Sequence, residues 1–200
     1  MNRSSREEHL RQLIGASPIA CILTDPNVPD NPIVAVNEAF VTLTGYPPEE
    51  ILGRNCRFLA GAETEPAPRS KLREAVKTGA SAVVELTNYK RSGCKFRNAV
   101  MMAPFFDEAG KLVFFLGSQM EVPAGGLGER QDEARVRVDA LSPRQADVLR
   151  LMARGLRHAR IASELNVTER TVKMHRATLV KKLGCETSAE AIRIAIEAGL

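Results

Sequence analysis

The stretch "AVVELTNYKRSGCKFRNAVMMAP" (82–104) decides the fold. Two runs rich in β-branched and aromatic residues, 82–90 and 95–104, flank the turn "RSG". A third run, 112–122, follows the turn "DEAG", so three antiparallel strands are predicted. Period-two alternation sorts their side chains. One face carries Val84, Leu86 and Asn88, then Phe96, Asn98, Val100 and Met102, then Val113, Phe115, Gly117 and Gln119. Each strand thus sets one carboxamide among apolar neighbours. An unpaired buried amide costs on the order of 1–3 kcal/mol. Three on one face point to a polar ligand in an apolar pocket, with mutual bonding as the plainer alternative. The opposite face holds Ala99, Met101, Phe114, Leu116 and Met120 beside Glu85, Thr87 and Tyr89. That face is too apolar for water and needs a cover.

Upstream, "IACILTD" (19–25) and "PIVAVN" (32–37) read as two shorter strands joined by a Pro/Asp/Asn-rich turn. Helical pieces follow at "NEAFVTLTG" (37–45), "PEEILG" (48–53) and "PRSKLREAVKTG" (68–79), each closed by a glycine. At the N-terminus, "SREE" (5–8) forms a capping box ahead of Leu10, Leu13 and Ile14, with Gly15 as the stop. The element order predicts an α+β module: a five-stranded antiparallel sheet with helices on one face.

Between the helical pieces lies "GRNCRFLAG" (53–61), whose Cys56 has three readings: core filler, metal or disulfide partner, or reactive group. The four cysteines are scattered without a C-x-x-C, which argues against a zinc site or a disulfide framework. Free cysteine is most often buried and inert.

The chain of 200 residues is 44% hydrophobic and 26% charged, an ordinary globular composition sufficient for one or two domains. No apolar run is long enough to span a bilayer, so a cytoplasmic protein with no membrane partner is expected. The net charge of +4 is uneven. Residues 141–200 hold 11 Lys and Arg against 6 Asp and Glu, whereas 10–122 hold 12 of each. A basic excess at one end implies an acidic partner such as nucleic acid. The break between modules falls at 123–140, where Pro123 and three glycines give a flexible start and Glu129–Asp139 a weak connecting helix.

In the basic end, "LSPRQADVLRLMARGL" opens with Ser142 as N-cap, Pro143 at the first helical position and Gln145 completing a capping box. A second helix spans about 158–165, and Thr168 caps a third. On that third helix Val172, His175, Leu179 and Leu183 line one side, with Arg170, Lys173, Met174, Ala177 and Lys181 on the other. A fourth helix follows the capping box Thr187–Glu190, with Ile192, Ala195 and Ile196 inward and Ile194 and Ala198 exposed. Two short helices at a tight turn, the second with a basic outer face, read as a helix-turn-helix.

Through "GRNCRFL", "NYKRSG", "FRN" and "FLGSQ", residues 16–122 resemble the LOV domains, flavin-binding blue-light sensors of the PAS fold. The resemblance implies bound FMN and a reversible light-driven bond between Cys56 and flavin C4a. It further implies that Asn55, Asn88, Asn98, Phe115 and Gln119 contact the flavin, and that Arg57 and Arg73 grip its phosphate. Ala60 stands where many members carry Gln. Residues 141–200 resemble the LuxR-type DNA-binding domain, a four-helix all-α module. That resemblance places Lys173, Met174 and Ala177 at base edges of double-stranded DNA and Thr171, Arg176 and Lys181 at phosphates. The expected domains are a helix at 1–15, a sensor at 16–122, a linker at 123–140 and a DNA-binding module at 141–200. The expected function is a blue-light-regulated transcription factor, not an enzyme, which folds back on itself in the dark and forms a homodimer when lit. A PAS regulator sensing another ligand or redox state, or a small flavin oxidoreductase, are the alternatives.

Overall fold

The computed structural model describes residues 12, 14–107, 109–124 and 126–200. The expected N-terminal capping box lies outside them. Strands β1 (Ala20–Thr24) and β2 (Ile33–Val36) come first, followed by helices α1 (Glu38–Thr44) and α2 (Pro48–Ile51). A 3-10 turn at Cys56–Leu59 and helix α3 (Pro66–Thr78) lead to β3 (Ala82–Tyr89), β4 (Lys95–Phe106) and β5 (Leu112–Glu121). The strands form one antiparallel sheet in the order β2-β1-β5-β4-β3. The C-terminal half is helical: α4 (Gly126–Asp139), α5 (Pro143–Ala153), α6 (His158–Glu164), α7 (Glu169–Lys182) and α8 (Ser188–Glu197).

Local chemistry explains the ends of these elements. Asn37 caps α1 by accepting from Phe40 N, and Gly45 ends it at φ 74°, a left-handed conformation that only glycine adopts readily. The capping boxes of α5 and α8 both form, with Ser142–Gln145 and Thr187–Glu190 bonded in both directions. At the start of α3, the Glu65 carboxylate accepts from Thr87 N at 2.8 Å and from Arg97. The Thr87 amide, aided by the Arg97 guanidinium, pulls the Glu65 pKa down to about 2.

One residue of the predicted alternation is corrected. The register of β4 against β5 shifts between Phe105 and Phe106, a bulge that reverses the facing of the residues beyond it. Leu112, not Val113, packs with Phe115 on the inner face, and Val113 joins the core on the outer face.

The outer face does have a cover, and it comes from the chain itself. Cys21, Leu23, Met101, Ala103, Phe114 and Leu116 are fully buried in one cluster with Ala189, Ile192, Ile194 and Ala195 of α8 and with residues of α5. Ile194, expected to be exposed, is therefore buried, and Ala198 is partly buried. Met120, expected within the covered patch, stays half-buried and is not part of that cluster.

The connecting helix also starts earlier than the glycines suggest, at Gly126. Gly126 N closes a turn onto Pro123 O at 2.9 Å, and Leu127 N donates to Glu85 at 3.2 Å. Tertiary packing of Ala134 and Val138 overrides the weak helix propensity of glycine here.

Gly155 follows α5 at φ 79°, and a Cβ at this position would collide with the Pro104 carbonyl oxygen of β4. Its own carbonyl accepts from Phe106 N at 3.5 Å. Gly155→Ala is expected to destabilise the folded chain by about 1–2 kcal/mol from backbone conformation alone. It should also loosen the helical module from the sheet, read as faster amide exchange at Phe106. Unchanged exchange there would show that the contact is dispensable.

Candidate functional site

The inner face of the sheet, α3, the 3-10 turn and the loop 26–31 enclose a cavity of about 640 Å³. That volume lies within the range of small-molecule sites, roughly 300–1,000 Å³. Ile22, Leu86, Val100, Phe115 and Gly117 supply an apolar floor, and Leu72 and Val76 of α3 a wall. A Cβ on Gly117 would meet Ile22 at 2.9 Å, so glycine keeps this floor flat.

Asn55 builds the turn that carries the thiol. Its side chain accepts from Arg57 N at 3.0 Å and donates to Asp30 O at 2.6 Å, fastening the turn to the 26–31 loop. Cys56 then faces the cavity, half-buried, and its Sγ accepts from Gln119 Nε2 at 3.1 Å. Burial pushes the thiol up to about 11, and the Gln119 bond only partly opposes this. Cys56 is thus a thiol, not a thiolate, at neutral pH.

The three carboxamides form a chain centred on Asn98. Asn98 Nδ2 donates to Asn88 Oδ1 and to Gln119 Oε1, each at 2.9 Å, and Asn88 donates to Leu59 O at 3.2 Å. The amides bond one another, yet Asn98 Oδ1 remains buried without a partner, as do Thr24 Oγ1 and Asn31 Oδ1. Thr24 and Asn31 line the cavity, and Asn98 is hydrogen-bonded to Asn88 and Gln119, which also line it. Orphaned acceptors at this cost suit a ligand that brings N–H and O–H donors.

At the mouth stand Arg57, Arg69 and Arg73. Arg57 grips Asp30 through two nitrogens at 2.5 and 2.6 Å, with both side chains more than half exposed. Arg69 and Arg73, one helical turn apart on α3, point to the same rim. All nine predicted cofactor residues converge: eight line the cavity and Asn98 bonds two of them. Arg69, Thr24 and Asn31 were not singled out from sequence, although the four-residue spacing of Arg69 from Arg73 on a predicted helix places both on one face. Among the described residues, no group of His, Cys, Asp and Glu could hold a metal ion.

In the helical half, Thr168 caps α7 by accepting from Thr171 N at 3.2 Å. Val172, Leu179 and Leu183 are buried, while Lys173, Met174, Ala177 and Lys181 are exposed. Met174 is 58% exposed, unusual for a large apolar side chain. Arg176 turns towards α6, its Nη1 lying 3.0 Å from His158 Nε2.

A PAS domain model matches residues 18–122, and a model of bacterial regulatory proteins of the luxR family matches 139–195. The blue-light-activated histidine kinase 1 of Erythrobacter litoralis is 45% identical over 122 residues, covering 61% of this chain and 34% of the kinase. The chain thus spans about a third of that curated relative. The light-state structure of the blue-light photoreceptor Aureochrome1 LOV superposes with TM-score 0.54 at 38% identity, covering 62% of this chain and 96% of that one. The light-state dimer of the fungal photoreceptor Vivid matches with TM-score 0.51 at 35% identity, covering 52% of this chain and 78% of that one. This chain belongs to the PAS family as a LOV domain joined to a LuxR-type domain. The LOV half carries the cavity and its thiol, and the LuxR-type half carries the exposed basic helix. No helix among the described residues is long and apolar enough to cross a membrane.

Burial of the thiol in the LOV domain makes its reactivity depend on pH. With burial holding the Cys56 thiol at about 11 against an ordinary value near 9, thiolate at pH 8 is about 100-fold scarcer than for an ordinary cysteine. Alkylation of Cys56 in ligand-free protein should be slower by that factor, rising towards pH 11. Gln119→Leu removes the bond that lowers the pKa and should slow it further. Alkylation of Cys56 at the rate of a free cysteine peptide would refute the buried-thiol geometry.

Proposed function

We propose that the LOV cavity holds FMN and that the protein is a transcription factor switched by reversible bonding of Cys56 to that flavin. The observation that carries the reading is the amide chain ending on the thiol, Asn98 to Gln119 to Cys56 Sγ, inside a ligand-sized cavity. When bound, the flavin would supply blue-light absorption and an electrophilic ring carbon, and Cys56 would supply the sulfur and the proton for the reversible bond.

The residues of the chain do the rest. The apolar floor excludes water and oxidants from the thiol. Asn98 Oδ1, unpaired in the protein, is an acceptor for a pyrimidine N–H, and Asn88 flanks the same edge. Asn55 holds the cysteine turn, and Ala60 leaves room beside it where a longer side chain would add a polar contact. Arg57, Arg69 and Arg73 offer permanently charged planar donors for the phosphate. Gln119 now donates to Cys56 and accepts from Asn98. Loss of the thiol acceptor obliges that amide to find a new partner, and it sits on β5, whose other side faces the LuxR-type domain.

In the folded-back form, docking covers α8 while leaving Lys173, Met174 and Ala177 exposed. The blocked surface is therefore the α8 face, not the base-reading helix. Release of α8 on illumination would permit a homodimer on double-stranded DNA, with Thr171, Arg176 and Lys181 at phosphates. The light-state dimer of Vivid supports a lit LOV assembly.

Purified protein should be yellow, bleach under blue light and recover in darkness. Cys56→Ala should keep the colour and lose the bleaching, whereas Cys21→Ala, Cys94→Ala and Cys185→Ala should bleach like the parent. Bleaching by the Cys56→Ala protein would falsify the thiol assignment. On DNA, Lys173→Ala should relax base preference, with about 1–3 kcal/mol at stake for a good base contact. Lys181→Ala should weaken all sequences alike and flatten the salt dependence of binding. Gel shifts under blue light at two salt concentrations separate these outcomes, and parental binding by both variants would move the DNA surface elsewhere.

A further inference from the structure

Arg193 of α8 is the largest fully buried side chain among the described residues, at 1% exposure. A guanidinium is costly to desolvate, and it is retained inside only where its donors are met. Here they are met mostly from outside its own domain. Nη1 donates to Ser118 Oγ on β5 at 2.8 Å, and Nη2 donates to Ala99 O on β4 at 3.1 Å. Nε donates to Glu197 at 2.7 Å, a carboxylate equally buried and also held by Arg130 of α4 at 3.2 Å.

The two residues gripped on the sheet are the chain neighbours of the two bonded amides in the cavity. Ser118 precedes Gln119, and Ala99 follows Asn98. The registers Val100↔Gln119 and Met101↔Ser118 put Asn98–Gln119 and Ala99–Ser118 on matching diagonals of the same strand pair. The amide bond ties β4 to β5 on the inner face, and the guanidinium ties them on the outer face at the same level. The fork of Arg193 has fixed planar geometry, so it cannot follow two strands that shift relative to each other.

Resting on the light-switch reading above, we infer that Arg193 is the positioning residue through which the cavity amides control docking of the LuxR-type domain. A change in the Asn98–Gln119 bond displaces β5 against β4 and takes Ser118 Oγ from the Arg193 fork. Docking then loses a charge-assisted bond and leaves a buried cation short of an acceptor. Arg130, by holding Glu197, makes the position of α4 part of the same contact.

The test uses the full flavin-loaded chain with Ser118→Ala and, separately, Arg193→Lys, which keeps the charge but not the fork. Dimerisation is measured by sedimentation in darkness and under blue light, alongside the light-minus-dark spectrum and its recovery. Ser118→Ala should tighten the dark-state dimerisation constant about tenfold, leave the lit constant within about twofold of the parent, and leave the photochemistry unchanged. Arg193→Lys should tighten dark dimerisation in the same direction. Parental dark dimerisation in both variants overturns the inference while the light switch stands. A Ser118→Ala protein that loses lit dimerisation to the same extent as dark overturns it too, since that pattern reports a merely structural hydroxyl. A parent that does not change assembly with light defeats the switch reading and this inference together.

Discussion

A sheet whose two faces are both apolar cannot stand alone in water, and the architecture of this chain follows from that constraint. The inner face is closed by α3 and the cysteine turn over a cavity, and the outer face is closed by α5 and α8 of the LuxR-type domain. Each fully buried aliphatic or aromatic side chain on the outer face contributes roughly 1.5–3 kcal/mol relative to exposure. Phe114, Leu116, Met101 and Leu23 therefore supply a strong reason for the two domains to stay together. Yet the contact is not purely apolar. The Arg193–Glu197 pair at its centre adds directionality that greasy surfaces lack, because a buried charge accepts only one arrangement of partners.

The same strands serve both sides. Alternation along β5 sends Gln119 to the thiol and Ser118 to the docked domain, while on β4 the Asn98 side chain bonds Gln119 and the next residue, Ala99, offers its backbone carbonyl to Arg193. An event in the cavity is thus one residue away from the interface, with no loop or hinge between. Two strands held from opposite faces by fixed-geometry polar groups form a two-state element more readily than an apolar interface would, since hydrogen bonds depend steeply on angle and partner whereas apolar contact is non-directional.

Much of this was legible in the sequence because its signals are local. The period of the strands, the capping boxes at Ser142 and Thr187 and the glycine stops all depend on neighbours a few residues apart. Asn88, Asn98, Phe115 and Gln119 share one face because side-chain facing in a strand is set by parity, whereas Asn55, Cys56, Arg57, Ala60 and Arg73 were named through the family resemblance alone. Where a non-local effect intervened, the reading slipped. The bulge at Phe105–Phe106 reversed Val113 and Leu112, and the helix over Gly126 formed because Glu85 and the packing of α4 favour it against intrinsic propensity. Arg69 is one helical turn from Arg73 and shares its face, a local signal that the family resemblance alone does not pick out.

The sequence by itself determined the two modules, their family resemblance, the thiol turn, the amide trio and the basic helix. It also required that something cover the outer sheet. Tertiary structure decided which residues do the covering: Ile194, which looked surplus on an isolated helix, is buried, and Met120 is left at the margin. It also put Arg193, a residue not singled out from the sequence, inside the contact. Its partners on the sheet lie 75 and 94 positions away along the chain. Periodicity reports which way a side chain points, but whether a charge there meets water or a sheet depends on chain segments that only folding brings together.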